Sequence, residues 1–402
     1  MRGFHPAEFK TRAQNAQIEM VCEGIDALLL TTEPEVRYFT GFLTRFWESP
    51  TRPWFLILPQ SGDPIAVIPS IGADLMAKTW VRDIRTWTAP NPIDDGISLL
   101  ADTLSEVLPK SAKLGIPSGH ESHLRMPLQD FGHLKQRLPN FVFAGDAGII
   151  RKLRLIKSEA EILKISRACD IANAAFSRVS EVASQGASLE SVFRGFQKLC
   201  LEEGADWVPY LAGGAGPLGY SDVISPANDH PLCEGDILML DTGLMSDGYF
   251  CDFDRNFSIG KPDSRISVGY TRLIEATEAG KIAAKVGNTA ADVFLAMDNV
   301  LTGGKGGGDV GRLGHGLGMQ LTEWPSFIPN DHTVLKEGMV ITLEPSVAIP
   351  NGGMLVHEDN FVIRKTGVEQ ISPQAPNTTA ATDNCCTKCL PMPGKFQIVL
   401  RC

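Results

Sequence analysis

Two stretches of this chain set acidic side chains face to face inside apolar hairpins, and few folds can bury such pairs. In the first, residues 237–244 (ILMLDTGL) are apolar and strand-like, and residues 249–257 (YFCDFDRNF) alternate with period two. Asp247-Gly248 between them is a turn signal. A four-residue loop over 245–248 pairs Asp241 with Asp252, whereas a two-residue loop at Asp247-Gly248 pairs it with Asp254. Partners across an antiparallel ladder point to one face, as do residues two apart on a strand, so Asp241, Asp252 and Asp254 share a face in either register. Like charges there are costly, and a bound cation is the natural compensation. The second hairpin repeats the layout: residues 339–344 (MVITLE) and 354–363 (MLVHEDNFVI) flank Pro350-Asn351-Gly352-Gly353. A loop centred on Asn351 sets Glu344 opposite Glu358, which suggests an internally duplicated arrangement.

Between the hairpins, His315 in GHGLG adds an imidazole. Four hard oxygen donors and one imidazole suit Mn(II), Fe(II), Co(II) or Zn(II) better than they suit a soft thiolate-type metal. Two divalent cations carry four positive charges, and four carboxylates cancel them. A metal pair sharing an activated water is therefore the electrostatically reasonable occupant. Any one of these acids is more simply explained as an exposed strand residue. Two facing pairs in apolar strands are not, because buried acids need partners.

The length of 402 residues suits two or three domains, and 43% hydrophobic with 21% charged residues is ordinary for a soluble globular protein. A net charge of −10 disfavours binding to a nucleic-acid backbone and offers no basic membrane patch. No run of 18 apolar residues exists, and MRGFHPAEFKTR lacks an apolar signal core, so neither a membrane span nor secretion is expected and the cytoplasm is the default. Of nine cysteines, Cys22, Cys169, Cys200, Cys233 and Cys251 read as reduced thiols scattered through regular elements. Cys385, Cys386, Cys389 and Cys402 crowd the end, where one CxxC without a second half is a weak zinc signal. Residues 373–402 lose hydrophobic periodicity and read as a disordered tail, either an unrelated extension or an altered reading frame.

Residues 1–150 alternate helices and strands as an α/β domain: a helix over 5–22, a strand in 24–32, a hairpin from 53–59 and 63–69, a strand at 113–117 and a helix over 121–138. Residues 151–372 form the second unit. Ser158 and Glu161 make a capping box ahead of a long helix whose core stripe is Ile162, Ile165, Ala168, Ala172, Ala175 and Val179. Further helices fall within 189–203 and 268–300, which makes this unit α+β, helices over an antiparallel sheet. The glycine stretch 303–308 lacks the Gly-Lys-Ser/Thr of a phosphate loop and reads as a mobile lead into the His315 segment.

These residues resemble the pita-bread metallohydrolase family, which includes methionine aminopeptidase, aminopeptidase P, prolidase and creatinase. The resemblance covers about residues 1–372. It rests on Asp-x-Gly at Asp241, a second Asp eleven residues on, Arg255, Gly-His-Gly around His315, Glu344-Pro345 and Glu358-Asp359. It implies a pita-bread catalytic domain behind a ribonuclease-H-like N-terminal domain, a homodimer, and two metals held by Asp241, Asp252, His315, Glu344 and Glu358, with Asp252 and Glu358 bridging. Departures accompany it. Family peptidases carry accessory histidines where this chain has Ile224, Gly311 and Thr322.

The expected chemistry is metal-dependent hydrolysis of a C–N amide bond in an Xaa-Pro dipeptide or small peptide. Glu344 is the leading general acid or base, and Glu323 in QLTEWP a second catalytic candidate. Asp254 orients a ligand or pairs with a base such as Arg255. His357 alternates with Glu358 and so faces away from the metals, as packing or surface. Arg45 and Trp47 in RFWESPTRPW, and Tyr220 in WVPYLAGGAGPLGYSD, are the substrate-binding candidates, with Trp207 and Tyr210 as further pocket formers. The lost histidines favour an alternative, a hydrolase or lyase acting on a small nitrogenous or betaine-like metabolite. A third reading is a non-catalytic binding module on the same scaffold.

Overall fold

The computed structural model describes residues 2–49, 52–306 and 311–375, and the backbone of 380–382. The N-terminal part is built on six strands: β1 (Ala27–Leu30), β2 (Phe55–Pro59), β3 (Ile65–Pro69), β4 (Asp83–Trp87), β5 (Lys113–Ile116) and β6 (Val142–Gly145). They lie in the order β4-β3-β2-β1-β5-β6. The β1–β2 and β2–β3 pairs are antiparallel and the other three parallel. The central strands are continuous apolar runs because both faces are covered. Leu28, Leu30, Leu56 and Leu58 face α1 (Pro6–Glu23), α2 (Glu33–Thr40) and the single-turn α3 (Ala73–Met76). Ala27, Leu29, Phe55 and Ile57 face α4 (Ile97–Val107) and α5 (Leu128–Arg137).

The helix expected over 121–138 is shorter, because Pro127 stands at its N-cap and a proline inside the helix would break a hydrogen bond and clash. The preceding stretch is held open by Arg125, whose guanidinium donates to the carbonyls of Trp47, Ser49 and Arg52.

A short α6 (Ile149–Leu155) leads into α7 (Glu159–Ser177), which opens on the Ser158–Glu161 capping box. The anticipated stripe from Ile162 to Val179 is buried throughout. Together α7 and α8 (Leu189–Glu202) cover a sheet of β7 (Trp207–Gly216), β8 (Ile237–Ser246), β9 (Tyr249–Phe250) and β10 (Phe253–Ile259). In the same way α9 (Ser264–Ala283) and α10 (Ala290–Thr302) cover a second sheet. Its strands are β11 (His315–Gly316), β12 (Glu323–Ser326), β13 (Val340–Leu343), β16 (Asp359–Arg364) and β17 (Gly367–Gln370), while β14 (Ser346–Ala348) and β15 (Met354–Val356) form a ribbon between β13 and β16. This is an α+β unit of two sheets, each backed by a helix pair, and the sheets approach where β10 nears β16.

The tail expected to be disordered falls mostly outside the described residues. Within it, the backbone of β18 (Ala380–Thr382) runs parallel to Phe257–Ile259. In the glycine stretch, Gly303 ends α10 with φ 72°, and residues 307–310 lie outside the described residues.

Candidate metal centre

The first carboxylate set follows from a tight turn. Asp247 and Gly248 both take positive φ, 49° and 83°, and Ser246 pairs with Tyr249 across them. Of the two registers the sequence leaves open, this selects the one that pairs Asp241 with Asp254. Asp252 lies two residues nearer the turn on the same face. In the second hairpin, Asn351 has φ 57°, and both ladders share one register about it: Leu343 with Asp359, and Ser346 with Val356. Glu344 and Glu358 are opposite positions in that register.

His315 enters on β11, hydrogen-bonded between β12 and β13. Its Nδ1 lies 2.7 Å from the Gly316 carbonyl, which fixes the tautomer with Nδ1–H donating. Nε2 is then left facing Asp252 Oδ2 at 3.3 Å and Glu358 Oε1 at 3.8 Å. Asp252, His315 and Glu358 are all buried, with ligand atoms within 4.8 Å of one another. Asp241 and Glu344 adjoin them: Asp252 is influenced by Asp241 and Glu344, and Glu358 by Asp252 and Glu344.

The electrostatics describe a site short of positive charge. Burial, reinforced by the neighbouring carboxylates, holds Asp241, Asp252 and Glu358 well above the usual carboxylate range. Burial also raises Glu344 to about 7, with Arg312 working against the rise. Burial, then Arg312, lowers His315 to about 3, so its imidazole is neutral. A neutral imidazole lone pair pointing at carboxylate oxygens needs a cation between them. Asp241 Oδ1, Asp252 Oδ1 and Glu358 Oε1 are buried without a hydrogen-bond partner, although buried polar atoms are nearly always paired. The donor set therefore fits divalent cations.

Other candidates are placed differently. Glu323 is buried beside the cluster, and its carboxylate accepts from Lys157 at 3.1 Å, from Arg154, and from the amides of Met319 and Gln320. Burial would raise its pKa, but Arg154 and Lys157 outweigh burial and hold it at about 2. Both Glu323 oxygens are thus occupied, and the carboxylate ties α6 to the loop behind His315, an arrangement that favours a structural role over the expected catalytic one. Trp47 packs in the core against Phe42 and Trp54, which removes it from a substrate surface. Tyr220 is likewise buried, with its hydroxyl donating to Asn256 Oδ1 at 3.2 Å and accepting from the Val356 amide at 2.6 Å. It latches β15, and its one donor is already used. Arg45 remains exposed, paired with Glu48 and lying over the Trp207 ring.

His357, expected to be packing or surface, is a buried cation between Asp359 at 3.2 Å and Asp254 at 3.6 Å. Burial opposes its charge, but these acids outweigh burial and raise it to about 9. Asp254 accepts from the Glu358 amide at 2.7 Å, while Arg255 pairs with Asp359 at 3.0 Å. Sequence reasoning missed Arg312, the cation facing the cluster, and Asn360. The signal for Asn360 was available, since period two puts it on the face of Glu358. Tyr210, anticipated only as a pocket former, lies near Asp241 and works against the rise in its pKa. At the positions lacking histidine, Ile224 is exposed, Thr322 half-buried, and Gly311 adopts φ 76°.

Residues 164–365 match the model of metallopeptidase family M24, and residues 12–156 match the creatinase/prolidase N-terminal domain. The chain belongs to metallopeptidase family M24. It is therefore a metal-dependent enzyme of amide-bond hydrolysis with the two-domain pita-bread architecture. An Xaa-Pro dipeptidase of Pyrococcus furiosus is 31% identical over 278 residues, 67% of this chain and 76% of that relative. An Xaa-Pro dipeptidase of Pyrococcus horikoshii is 28% identical over 87% of this chain and 93% of its own length. Among solved structures, dipeptidase PepE from Mycobacterium ulcerans superimposes with TM-score 0.80 at 25% identity, covering 94% of this chain and 99% of that one. The N-terminal domain of the FACT subunit SPT16 from chickpea shares the fold, with TM-score 0.73 at 16% identity, covering 94% of this chain and 100% of that one.

Proposed function

We propose that Asp241, Asp252, His315, Glu344 and Glu358 hold two divalent cations and that this member of family M24 hydrolyses the amide bond of Xaa-Pro dipeptides. The observation that carries the reading is the set of three buried, unpartnered carboxylate oxygens around a neutral imidazole. The names of the Pyrococcus relatives support the substrate class. When bound, the cations supply an activated water and polarise the scissile carbonyl. Glu344, the least enclosed of the five, is placed to take the proton from that water and pass it to the leaving nitrogen. His315, fixed through Gly316, presents Nε2 without a proton to lose. Tyr210 steadies Asp241. Arg312 at the cluster is the group suited to a substrate carboxylate. We assign the N-terminal domain to 1–150 and the catalytic domain to 151–372, with a homodimer, manganese as metal and a cytoplasmic location. Among the described residues no helix is long and apolar enough to cross a membrane.

A second reading is supported by Ile224, Gly311 and Thr322: the same cations acting on a small nitrogenous or betaine-like amide. The binding-module reading lacks such support, since buried unpartnered acids are costly without a cation. The test is metal analysis followed by assay of Xaa-Pro dipeptides with Mn(II) or Co(II). Two ions per chain with proline release supports the proposal. Fewer than one ion per chain overturns it. Bound metal with turnover only of a small non-peptide amide selects the second reading.

A further inference from the structure

We infer that Asn360 and Asp254 are reciprocal positioning residues, each gripping the backbone of a metal ligand carried by the opposite sheet. The inference rests on the metal-site reading above. Asp252 and Asp254 belong to the first hairpin, Glu358 and Asn360 to the second, and in each hairpin the second residue stands two positions beyond the ligand. Period two therefore puts Asp254 on the face of Asp252, and Asn360 on the face of Glu358.

Each reaches across the seam. Asn360 Oδ1 accepts the Asp252 amide at 3.0 Å, and its Nδ2 donates to the Asp252 carbonyl. Only this orientation of the side-chain amide satisfies both peptide groups, and Cys169 Sγ at 3.3 Å from Oδ1 agrees with it. In return, Asp254 Oδ1 accepts the Glu358 amide at 2.7 Å. Asp254 is itself oriented by Asn256 Nδ2 at 3.2 Å, and Asn256 also grips the Val356 carbonyl at 2.7 Å.

β10 and β16 belong to separate sheets, and no ladder joins them among the described residues. At the seam, side chains replace the ladder and satisfy peptide groups that would otherwise be buried unpaired. Asp252, Asp254, Glu358 and Asn360 are all nearly or fully buried, so water does not compete. Asp252 and Glu358 both face the same His315 nitrogen, so a cation between them is held only if the two strands keep their spacing. Productive metal geometry tolerates about 0.5 Å of error, and two crossed grips from opposite sides fix that spacing.

The test titrates metal-free protein with Co(II), read by calorimetry and by the d–d absorption that reports coordination geometry. Asn360→Ala should weaken Co(II) binding by roughly 10- to 100-fold and alter the spectrum, the range seen when an outer partner of a ligand is lost. Asn360→Ser leaves room for a water on the Asp252 amide, so it keeps a folded protein and should also lose affinity. Ser372→Ala is the control for stability alone. Its hydroxyl accepts from the Asn360 backbone N–H at 2.9 Å and donates to Asp359 Oδ1 at 2.7 Å but touches no ligand, so the melting temperature should fall while Co(II) affinity stays. Equal Co(II) affinity and spectrum in wild type and both Asn360 variants overturns the inference. Wild-type protein that takes up no Co(II) instead overturns the metal-site reading on which it rests.

Discussion

Two buried acidic sites lie close together in the catalytic domain and solve the burial of charge in opposite ways. Glu323 brings its own cations: Arg154 and Lys157 meet it, and its pKa falls to about 2. The cluster of Asp241, Asp252, Glu344 and Glu358 has no such company. Arg312 acts on it only from the rim, the acids are pushed upward, and three oxygens stay unpaired. Burial is equally severe in both, so burial does not separate structure from function. What separates them is whether the protein itself completes the charge balance. A completed set is architecture, whereas an incomplete set is designed around something the polypeptide lacks.

The sharpest way to break this contrast is Asp252→Ala. It should abolish metal uptake and turnover, a loss beyond the roughly 10- to 100-fold expected from disturbing an outer partner. Metal content and proline release check it, and retained activity would mean that the centre is misplaced. Glu323→Ala should do the reverse. It leaves Arg154 and Lys157 buried and unpaired, which costs about 3–5 kcal/mol of stability. The melting temperature reads that loss. A fall in kcat at unchanged melting temperature would return Glu323 to the chemistry.

The same carboxylate gives a pH dependence. Its folded pKa of about 2 lies below the unfolded value near 4.3, so its contribution is present above that value and is lost as pH falls from about 4 through 2. Glu323→Gln should flatten this limb of the stability profile, by roughly 3 kcal/mol. The cluster should respond instead to metal. Adding Co(II) or Mn(II) at about 100 times Kd should stabilise the protein by about 2.7 kcal/mol. The gain should grow as pH rises, because the cation competes with protons for carboxylates whose pKa burial raises. Thermal unfolding with and without chelator, across pH, decides this.

Much of the contrast was legible in the sequence. Facing acids in apolar hairpins announced the centre because strand period and turn residues fix which side chains share a face. Asp247-Gly248 and Asn351 then set the registers. The environment of Glu323 was not legible, because sequence proximity to His315 says nothing of Arg154 and Lys157, which arrive from α6 and the link after it, more than 160 residues earlier. Trp47 and Tyr220 show a related difficulty. An aromatic in a loop looks available until the core it packs into is known, and both are buried. His357 reads as packing or surface from alternation alone, but the acids that make it a cation come from β10 and β16. Long-range charge pairing is where local pattern stops.

A milder change probes the rim of the incomplete set. Tyr210→Phe removes the hydroxyl that works against the raised pKa of Asp241 and leaves the ring in place. Metal affinity should drop by about 10-fold, the low end for an outer partner, because Asp241 keeps its strand position on β8. Equal affinity in the variant would mean that the strand alone orients Asp241.

The smallest effect is expected at Arg45. Its guanidinium is exposed, already paired with Glu48 at 2.6 Å, and rests on Trp207. Exposed pairs of this kind contribute about 0–1 kcal/mol, so Arg45→Ala should barely move the melting temperature. Its value lies in KM. Trp207 begins β7, the strand that also carries Tyr210, and of Arg45, Trp47 and Tyr220 it is Arg45 that stays at the surface. A rise in KM for Xaa-Pro dipeptides with kcat and metal content unchanged would place it on the substrate path. Unchanged KM would leave it a surface contact, and substrate recognition would then fall to Arg312 alone among the cations identified at the cluster.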